Sequence, residues 1–599
     1  MHRLFITSAF ICLFSISAQA SVPIEWQKLL HYEKKGEKYT SLVENKEYFL
    51  TKNGRFSPKK ELEASIKEFN QPNNTKKCDF PARFMYLKHK GLVKGNLNNC
   101  TEYQQYLSDL QAKSVTILFT NAYMSNPSSL FGHTLFRIDT NRKGTQLLSH
   151  GANFGADTGD ETGILYALKG LYGGYYGTFG IKPYYDVINL YNNIENRDIW
   201  EYQLNLNDKE IELFQALIWE QKKTKIRYYF FTKNCSYILL SLLEATKPEL
   251  ELTKNFNLKT VPLSTLKTIN NIDGFITKTN YRPSRQSKLN HRYSQMTNKQ
   301  KKSFINIIKN NQIDLQNLQD SEKSDVLETA YQYIQYQYVE GKLDLKTYRQ
   351  KSFKLLQQRS QIKDNNLYFE DLKTGENPIF SHKENGATIL FGSRNGTTFQ
   401  EFSIKPAYND LLEQSYGMLK GAEINVLETQ IRHYDNKNKY QLSKLNILSI
   451  KSLSGANLMF QPFSYDIKFQ IKEIFNPKTT KDTTALLLET GVGQSYNITP
   501  NTTIYVLSVP NLGYGGGLKE NGYLGFAFKS GLYYNNNSFR FNTYAMQNFT
   551  TSYTKKGQTY SIEASYSLTN NLNLYAKHQI FNSSYHDDKE TAIGIKINF

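Results

Sequence analysis

The stretch "FFTKNCSYILLSLLEA", residues 230–245, sets a single cysteine, Cys235, at the head of an almost wholly apolar run. Leu239, Leu240, Leu242 and Leu243 spread around a helix instead of forming one stripe, so burial on most sides is expected. The helix should stop before Pro248, with Lys247 near its negative end. Cys235 then falls in the first turn, where unpaired backbone N–H groups and the helix dipole favour an anion. A thiol in that position is acidified, and the thiolate is the nucleophile. A lone cysteine among leucines is otherwise a small inert hydrophobe, so the reading depends on a base.

Histidines lie upstream. "HTLFRI" alternates like a strand, "DTNRKG" is a turn, and "TQLLSHGANF" reads as a returning strand. If Ile138 faces Thr145, the ladder sets His133 opposite His150, with Cβ atoms roughly 4.5–5.5 Å apart. Cys235 is then the nucleophile, His133 its base and His150 the group that orients the base, the constellation of nucleophilic acyl chemistry. A one-residue slip would turn His150 to the other face, and Asn153 would take its place. The backbone N–H of Cys235 is a candidate oxyanion donor. This chemistry calls for no metal and no cofactor.

The chain's destination bears on its cysteines. "MHRLFITSAFICLFSISAQA" opens with Arg3, continues with a short apolar run and ends in Ala18-Gln19-Ala20, the pattern of a secretory signal peptide over residues 1–20. Cys12 leaves with it, and Cys78, Cys100 and Cys235 remain. In an oxidising compartment Cys78 and Cys100 are the natural pair, worth about 3 kcal/mol by loop closure. That leaves Cys235 as the odd thiol. Export also redirects the reading of the net charge of +19: not nucleic acid, but anionic envelope lipid, is the expected partner. No later apolar run reaches the length of a membrane-spanning helix.

Behind these residues stands a serial organisation. Residues 21–110 read as a polar helical module, with a serine-capped helix in "SPKKELEASIKEFN". Residues 111–285 mix strands, glycine-rich loops and helices and hold the candidate site. Within them "KGLYGGYYGTFGIKPYYD" reads either as a mobile loop, a lid or acyl-chain groove whose tyrosines suit a lipid–water interface, or as an ordered loop packing on the catalytic core. Residues 286–377 form a helical connector, with two or three amphipathic helices in residues 295–363. From residue 378 to 599 helical periodicity gives way to alternating segments of about ten residues broken by asparagine and glycine. The chain ends in "TAIGIKINF", where Ile593, Ile595, Ile597 and Phe599 share one face. An exported all-β tail of this kind resembles an outer-membrane β-barrel with its C-terminal assembly signal. A closed barrel also satisfies every backbone hydrogen bond in lipid. Roughly 10–12 strands are expected.

Residues 115–265 further resemble the DUF4105 family, through "NPSSLFGHTLFRID", "GGYYGTFGIKPYYDV", "NRDIWEYQLNL" and "YYFFTKNCSYILLSLLE". "CDFPAR" looks like the module that often precedes this domain. The order strand-His, strand-His, helix with Asn-Cys also resembles the circularly permuted NlpC/P60 fold, a papain-like α+β arrangement. Lecithin–retinol acyltransferase and the H-Ras-suppressor-like phospholipid acyltransferases share it. The DUF4105 group is similar to the N-terminal periplasmic domain of a Bacteroides-type lipoprotein N-acyltransferase. The resemblance implies a cell-envelope cysteine acyltransferase with a thioester on Cys235, a phospholipid donor and a lipoprotein amine acceptor. An amidase or peptidase acting on peptidoglycan, or a non-enzymatic outer-membrane protein with a degenerate domain, are the alternatives. This chain departs from the lipoprotein enzyme in ending with a barrel.

Overall fold

The computed structural model describes residues 22–122, 131–141, 146–159, 161, 163–364, 366–436, 439–476, 478–516, 518–552 and 555–599. The signal peptide, "SNPSSL" and the "RKG" half of the "DTNRKG" turn lie outside these residues.

The N-terminal module holds α1 (Ile24–Leu29), the hairpin β1 (Tyr32–Lys35) and β2 (Lys38–Ser41), α2 (Pro58–Phe69), α3 (Lys76–Asp79), α4 (Pro81–His89) and α5 (Thr101–Leu110). Ser57 caps α2 by accepting from the Lys60 N–H. Cys78 and Cys100 form a disulfide, and Cys235 is free and buried. The buried Arg83 of "CDFPAR" pairs with two carboxylates: Nε to Glu220 Oε2 at 3.2 Å and Nη1 to Glu61 Oε1 at 3.3 Å. A buried guanidinium needs such partners, and Glu220 belongs to the next domain, so this pairing clamps the two together.

That domain is a seven-stranded antiparallel sheet. Its strands are β3 (Ala112–Thr120), β4 (His133–Thr140), β5 (His150–Ala156), β6 (Tyr175–Pro183), β7 (Ile199–Leu204), β8 (Ile226–Tyr228) and β9 (Ile276–Arg282), in the order β8-β6-β5-β4-β3-β7-β9. Between them run α6 (Gly163–Tyr172), α7 (Tyr184–Ile188), α8 (Asp208–Gln221), α9 (Cys235–Thr246) and α10 (Pro262–Asn270). Every residue of α9 is buried, as its all-round apolar surface requires. On one face of the sheet Phe136, Ala152 and Phe154 pack with α8 and α9 in the main core. On the other, Leu135 meets Tyr184, Val187 and Tyr191.

The connector has four helices: α11 (Arg285–Gln295), α12 (Asn298–Asn310), α13 (Asp320–Val339) and α14 (Leu345–Ser360). They share a small core of their own, which Met459 and Phe460 of the barrel domain join.

The C-terminal domain is a closed barrel. Its strands are β10 (Gly386–Arg394), β11 (Thr397–Lys405), the short β12 (Ala407–Asn409), β13 (Ala422–Tyr434) and nine more, ending in β22 (Asp588–Asn598). β12 continues β11 past Pro406 against the same neighbour, so the barrel has twelve staves. Pairing of β10 with β22 and of β11 with β13 closes it. Side chains alternate as a lipid-embedded wall requires. Ile389, Phe391, Phe402, Val506, Phe528 and Ile593 are exposed on the outside, while the inside carries ion pairs such as Arg432–Glu401 at 2.6 Å and Lys529–Asp466 at 2.7 Å. The chain between β12 and β13 turns into the lumen. Asp410 pairs with Lys596 at 2.8 Å, and the Leu411 and Leu412 carbonyls accept from Tyr533 and Arg540, each at 3.2 Å. The turns near Asn501, Asn537 and Asn571 are short and lie at the end where the preceding domains attach, the periplasmic end of an outer-membrane barrel. Ile379, Ala407 and Ile424 join the main core, so the domain containing α9 packs directly on the barrel base.

Candidate active site

Asn234 starts α9. Its side-chain oxygen accepts from the Ser236 and Tyr237 N–H groups at 3.1 and 3.3 Å, while its amide donates to the Phe230 carbonyl at 3.1 Å and the Thr260 carbonyl at 2.7 Å. The Asn-Cys dipeptide is thus a cap with all its capacity engaged, and it fixes the orientation of the next residue, Cys235. The thiol is 2% exposed.

His133, the first residue of β4, is the charged partner that lowers the thiol pKa most, against burial. Its Nε2 donates to Asn153 Oδ1 at 2.7 Å, which leaves Nδ1 for Cys235. The ring lies 5.7 Å from that of Tyr191, tilted by 33°. Thr134 Oγ1 is 4.0 Å from Cys235 Sγ and 2.8 Å from Ser236 Oγ, and Ser236 Oγ is 3.7 Å from the sulfur. Burial raises the thiol pKa, but the His133 charge and hydrogen bond, with the Thr134 N–H and the Ser236 hydroxyl, outweigh it and bring the thiol to about 6. The imidazole shifts the other way. Burial lowers it, yet the thiolate and the Asn153 carbonyl raise it overall, against the nearby Arg197. Opposite shifts in one contacting pair are those of a thiolate–imidazolium pair.

His150 is not part of this group. In the β4–β5 ladder Ile138 faces His150, not Thr145, a five-residue difference from the expected register. An odd shift reverses the faces. His150 therefore shares the side of Ala152 and Phe154, and Asn153 turns to His133. The cause is apolar packing. Ala152 sits opposite Phe136, and the Phe154 ring lies 5.8 Å from that of Tyr228. "QLLS" is not strand: Gln146–Leu148 is a short 3-10 turn, and β5 begins only at His150, while Thr145 lies outside the described residues.

The glycine-tyrosine stretch also differs from the expected mobile loop. Its middle half is β6, paired with β5 and β8, and its ends belong to α6 and α7. Its glycines permit close approach: a Cβ on Gly177 would lie 2.1 Å from Phe154 Cζ, and one on Gly170 would lie 2.2 Å from Phe230 Cζ.

Sequence reasoning missed Tyr228. The Cys235 N–H, expected as a free oxyanion donor, donates to the Tyr228 hydroxyl at 3.3 Å. Nothing in the sequence distinguishes this tyrosine among 43; its place on β8, seven residues before the cysteine, is visible only in the fold. Arg197 was missed too. It donates to the carbonyls of Asn121 at 2.7 Å and Thr120 at 3.1 Å, at the end of β3 beside His133. Behind the sulfur, Thr134, Ser236, Leu239, Leu240 and Leu266 border an apolar cavity of about 10 Å³, room for one water and not for an acyl chain. Together the groups can form a covalent thiol adduct and move a proton at its partner.

No curated protein matches the chain. Among solved structures the barrel is similar to the NanC porin, at 10% identity over 36% of this chain and 100% of that one, with a TM-score of 0.25. It is also similar to the KdgM porin, at 10% identity over 36% of this chain and 99% of that one, with a TM-score of 0.22. A third is outer membrane phospholipase A from Escherichia coli, at 10% identity over 38% of this chain and 94% of that one, with a TM-score of 0.22. Residues 20–90, 279–368 and 375–597 match three domains of unknown function, DUF7843, DUF7842 and DUF7840. Residues 102–271, which carry Cys235, His133 and Asn153, match the family described as the Lnb N-terminal periplasmic domain.

Proposed function

We propose that this protein is an outer-membrane-anchored cysteine acyltransferase that takes an acyl chain from a phospholipid and passes it to a lipoprotein amine. The observation that carries the reading is the contact between Cys235 and His133, with the thiol brought to about 6 in a site whose burial alone would raise it. The match of residues 102–271 to an Lnb N-terminal periplasmic domain supports the envelope setting, and the class of acceptor is the one the sequence resemblance implies.

The Cys235 thiolate attacks the ester carbonyl carbon. The carbonyl oxygen takes the Cys235 N–H from the Tyr228 hydroxyl, which can itself donate to the developing charge. The C–O bond breaks, and protonated His133 gives its Nδ1 proton to the departing lysophospholipid. A neutral amine then attacks the thioester. His133 takes the amine proton, and the C–S bond breaks to return the thiolate. Asn153 holds the imidazole with Nε2 protonated throughout.

The test is mass spectrometry of the Cys235 peptide after the full-length protein is incubated in phosphatidylethanolamine/phosphatidylglycerol vesicles. A hydroxylamine-labile acyl adduct on Cys235 is expected in wild type and not in His133→Ala. Absence of the adduct in wild type, with cleavage of purified peptidoglycan instead, would replace this reading by the amidase.

A further inference from the structure

The path from Cys235 to the barrel wall is short and runs on the lipid side. The Asn234 amide donates to the Thr260 carbonyl at 2.7 Å, and the Thr260 N–H donates to the Phe231 carbonyl at 2.7 Å. Next to Thr260, Lys259 Nζ bonds Asn385 Oδ1. Asn385 directly precedes β10 and is in step with Ile389 and Phe391, whose side chains face lipid. Its carbonyl accepts from the N–H of Phe599, the residue that follows β22, at 3.0 Å. Through the adjacent Thr260 and Lys259, the loop before α10 is therefore bolted both to the nucleophile's cap and to the outer foot of the β22–β10 seam.

Apolar side chains here stand open to the outside. Leu258 is 90% exposed, beside Lys259. Phe599 is 50% exposed, on the face of Ile593 and Ile597. Phe380 is 55% exposed, and its carbonyl accepts from Asn570 in the periplasmic turn after Thr569, at 3.2 Å. These residues continue the barrel's lipid-facing band downward, where a leucine held in water would be a loss and one in acyl chains a gain.

We infer that the loop 254–260, led by Leu258 and flanked by Phe380 and Phe599, inserts into the inner leaflet of the bilayer around the barrel, and that phospholipid reaches Cys235 laterally along this face. The occupant is bilayer phospholipid because the surface is continuous with the barrel's membrane band and adjoins its seam. The insertion stands by itself, whereas the delivery rests on the acyl-transfer reading. An acyl chain entering from this side needs no room behind α9, where the cavity holds none.

The test uses the full-length protein in phosphatidylethanolamine/phosphatidylglycerol vesicles with Cys235→Ser, so that an introduced cysteine is the sole free thiol. Bimane on Leu258→Cys should be quenched by brominated phospholipid to the level of Ile597→Cys at the barrel foot. Bimane on Leu147→Cys, at the opposite end of β4 from His133, should not. Quenching at residue 258 no greater than at 147 overturns the insertion. In the Cys235-containing protein, Leu258→Asp should cut acyl adduct formation from vesicle phospholipid by roughly tenfold or more, the scale of burying one leucine. Adduct formation from a soluble short-chain nitrophenyl ester should stay within about twofold of wild type. Loss of neither activity, or equal loss of both, overturns the delivery. If wild type forms no adduct with either donor, the acyl-transfer reading and the delivery fail together, while the quenching arm still decides the insertion.

Discussion

At the scale of single residues the site is a contest between burial and charge. Burial disfavours both the thiolate and the imidazolium, and each ion offsets that cost for the other. The pH dependence follows from the sign of the thiol shift. With its pKa lowered to about 6, Cys235 is mostly thiolate above that pH and becomes a thiol as pH falls through it. Iodoacetamide labelling of vesicle-embedded protein should therefore rise with a midpoint near 6. In His133→Ala the cation is lost and burial remains, so the midpoint should move above the ordinary thiol value of about 8.5. An unchanged midpoint would show the thiol to be an ordinary buried cysteine. The histidines should also separate. His133→Ala should lose roughly 10²- to 10⁴-fold in acyl-adduct rate, the usual worth of a general acid–base. Asn153→Ala should lose less, and His150→Ala should stay within about twofold of wild type, because its side chain lies on the other face of β5. Equal losses in His150→Ala and Asn153→Ala would contradict the observed register.

At the scale of elements, what positions Asn153 is the packing of β5 between β4 and β6. Phe154 holds that packing, and it occupies the space above Gly177. Gly177→Ala places a methyl 2.1 Å from Phe154 Cζ, so the ring must move and β5 with it. Overpacking of this kind costs about 1–3 kcal/mol. The variant should unfold at a lower temperature by circular dichroism and form the Cys235 adduct more slowly, although it touches no reacting atom. Gly180→Ala, on the same strand with open space at its Cβ, should change neither. Loss in both variants would point to the strand's backbone and not to Phe154.

At the scale of the whole molecule, the barrel and the α9 domain share one core across the barrel base. Assembly of one should therefore govern placement of the other. Phe599 closes β22 outward and donates to the Asn385 carbonyl. Deleting it should reduce the heat-modifiable, folded fraction in outer-membrane preparations, read by mobility in SDS gels. The soluble modules should be less affected, since Cys78–Cys100 and the Arg83 cluster stabilise them independently. A Phe599 deletion that assembles normally would remove this residue from the assembly signal.

Features that depend on local pattern were legible in the residues alone. The buried α9 follows from its all-round leucines, and its start follows from Asn-Cys. The disulfide follows from cysteine arithmetic in an exported chain, and the barrel from alternation ending in Phe599. Each is read from local pattern and composition, where propensity and periodicity act directly. The partner of His133 was not decided at that range. Between His150 and Asn153 the choice depends on which way β5 pairs, and the pairing is set by Phe136, Phe154 and Tyr228 meeting in a core assembled from distant parts of the chain. The same holds for Tyr228 under the Cys235 N–H, for Arg197 beside His133, and for the seat of Leu258 at the foot of the barrel. Period-two alternation leaves strand register open by whole residues, and only side-chain packing across the sheet selects one.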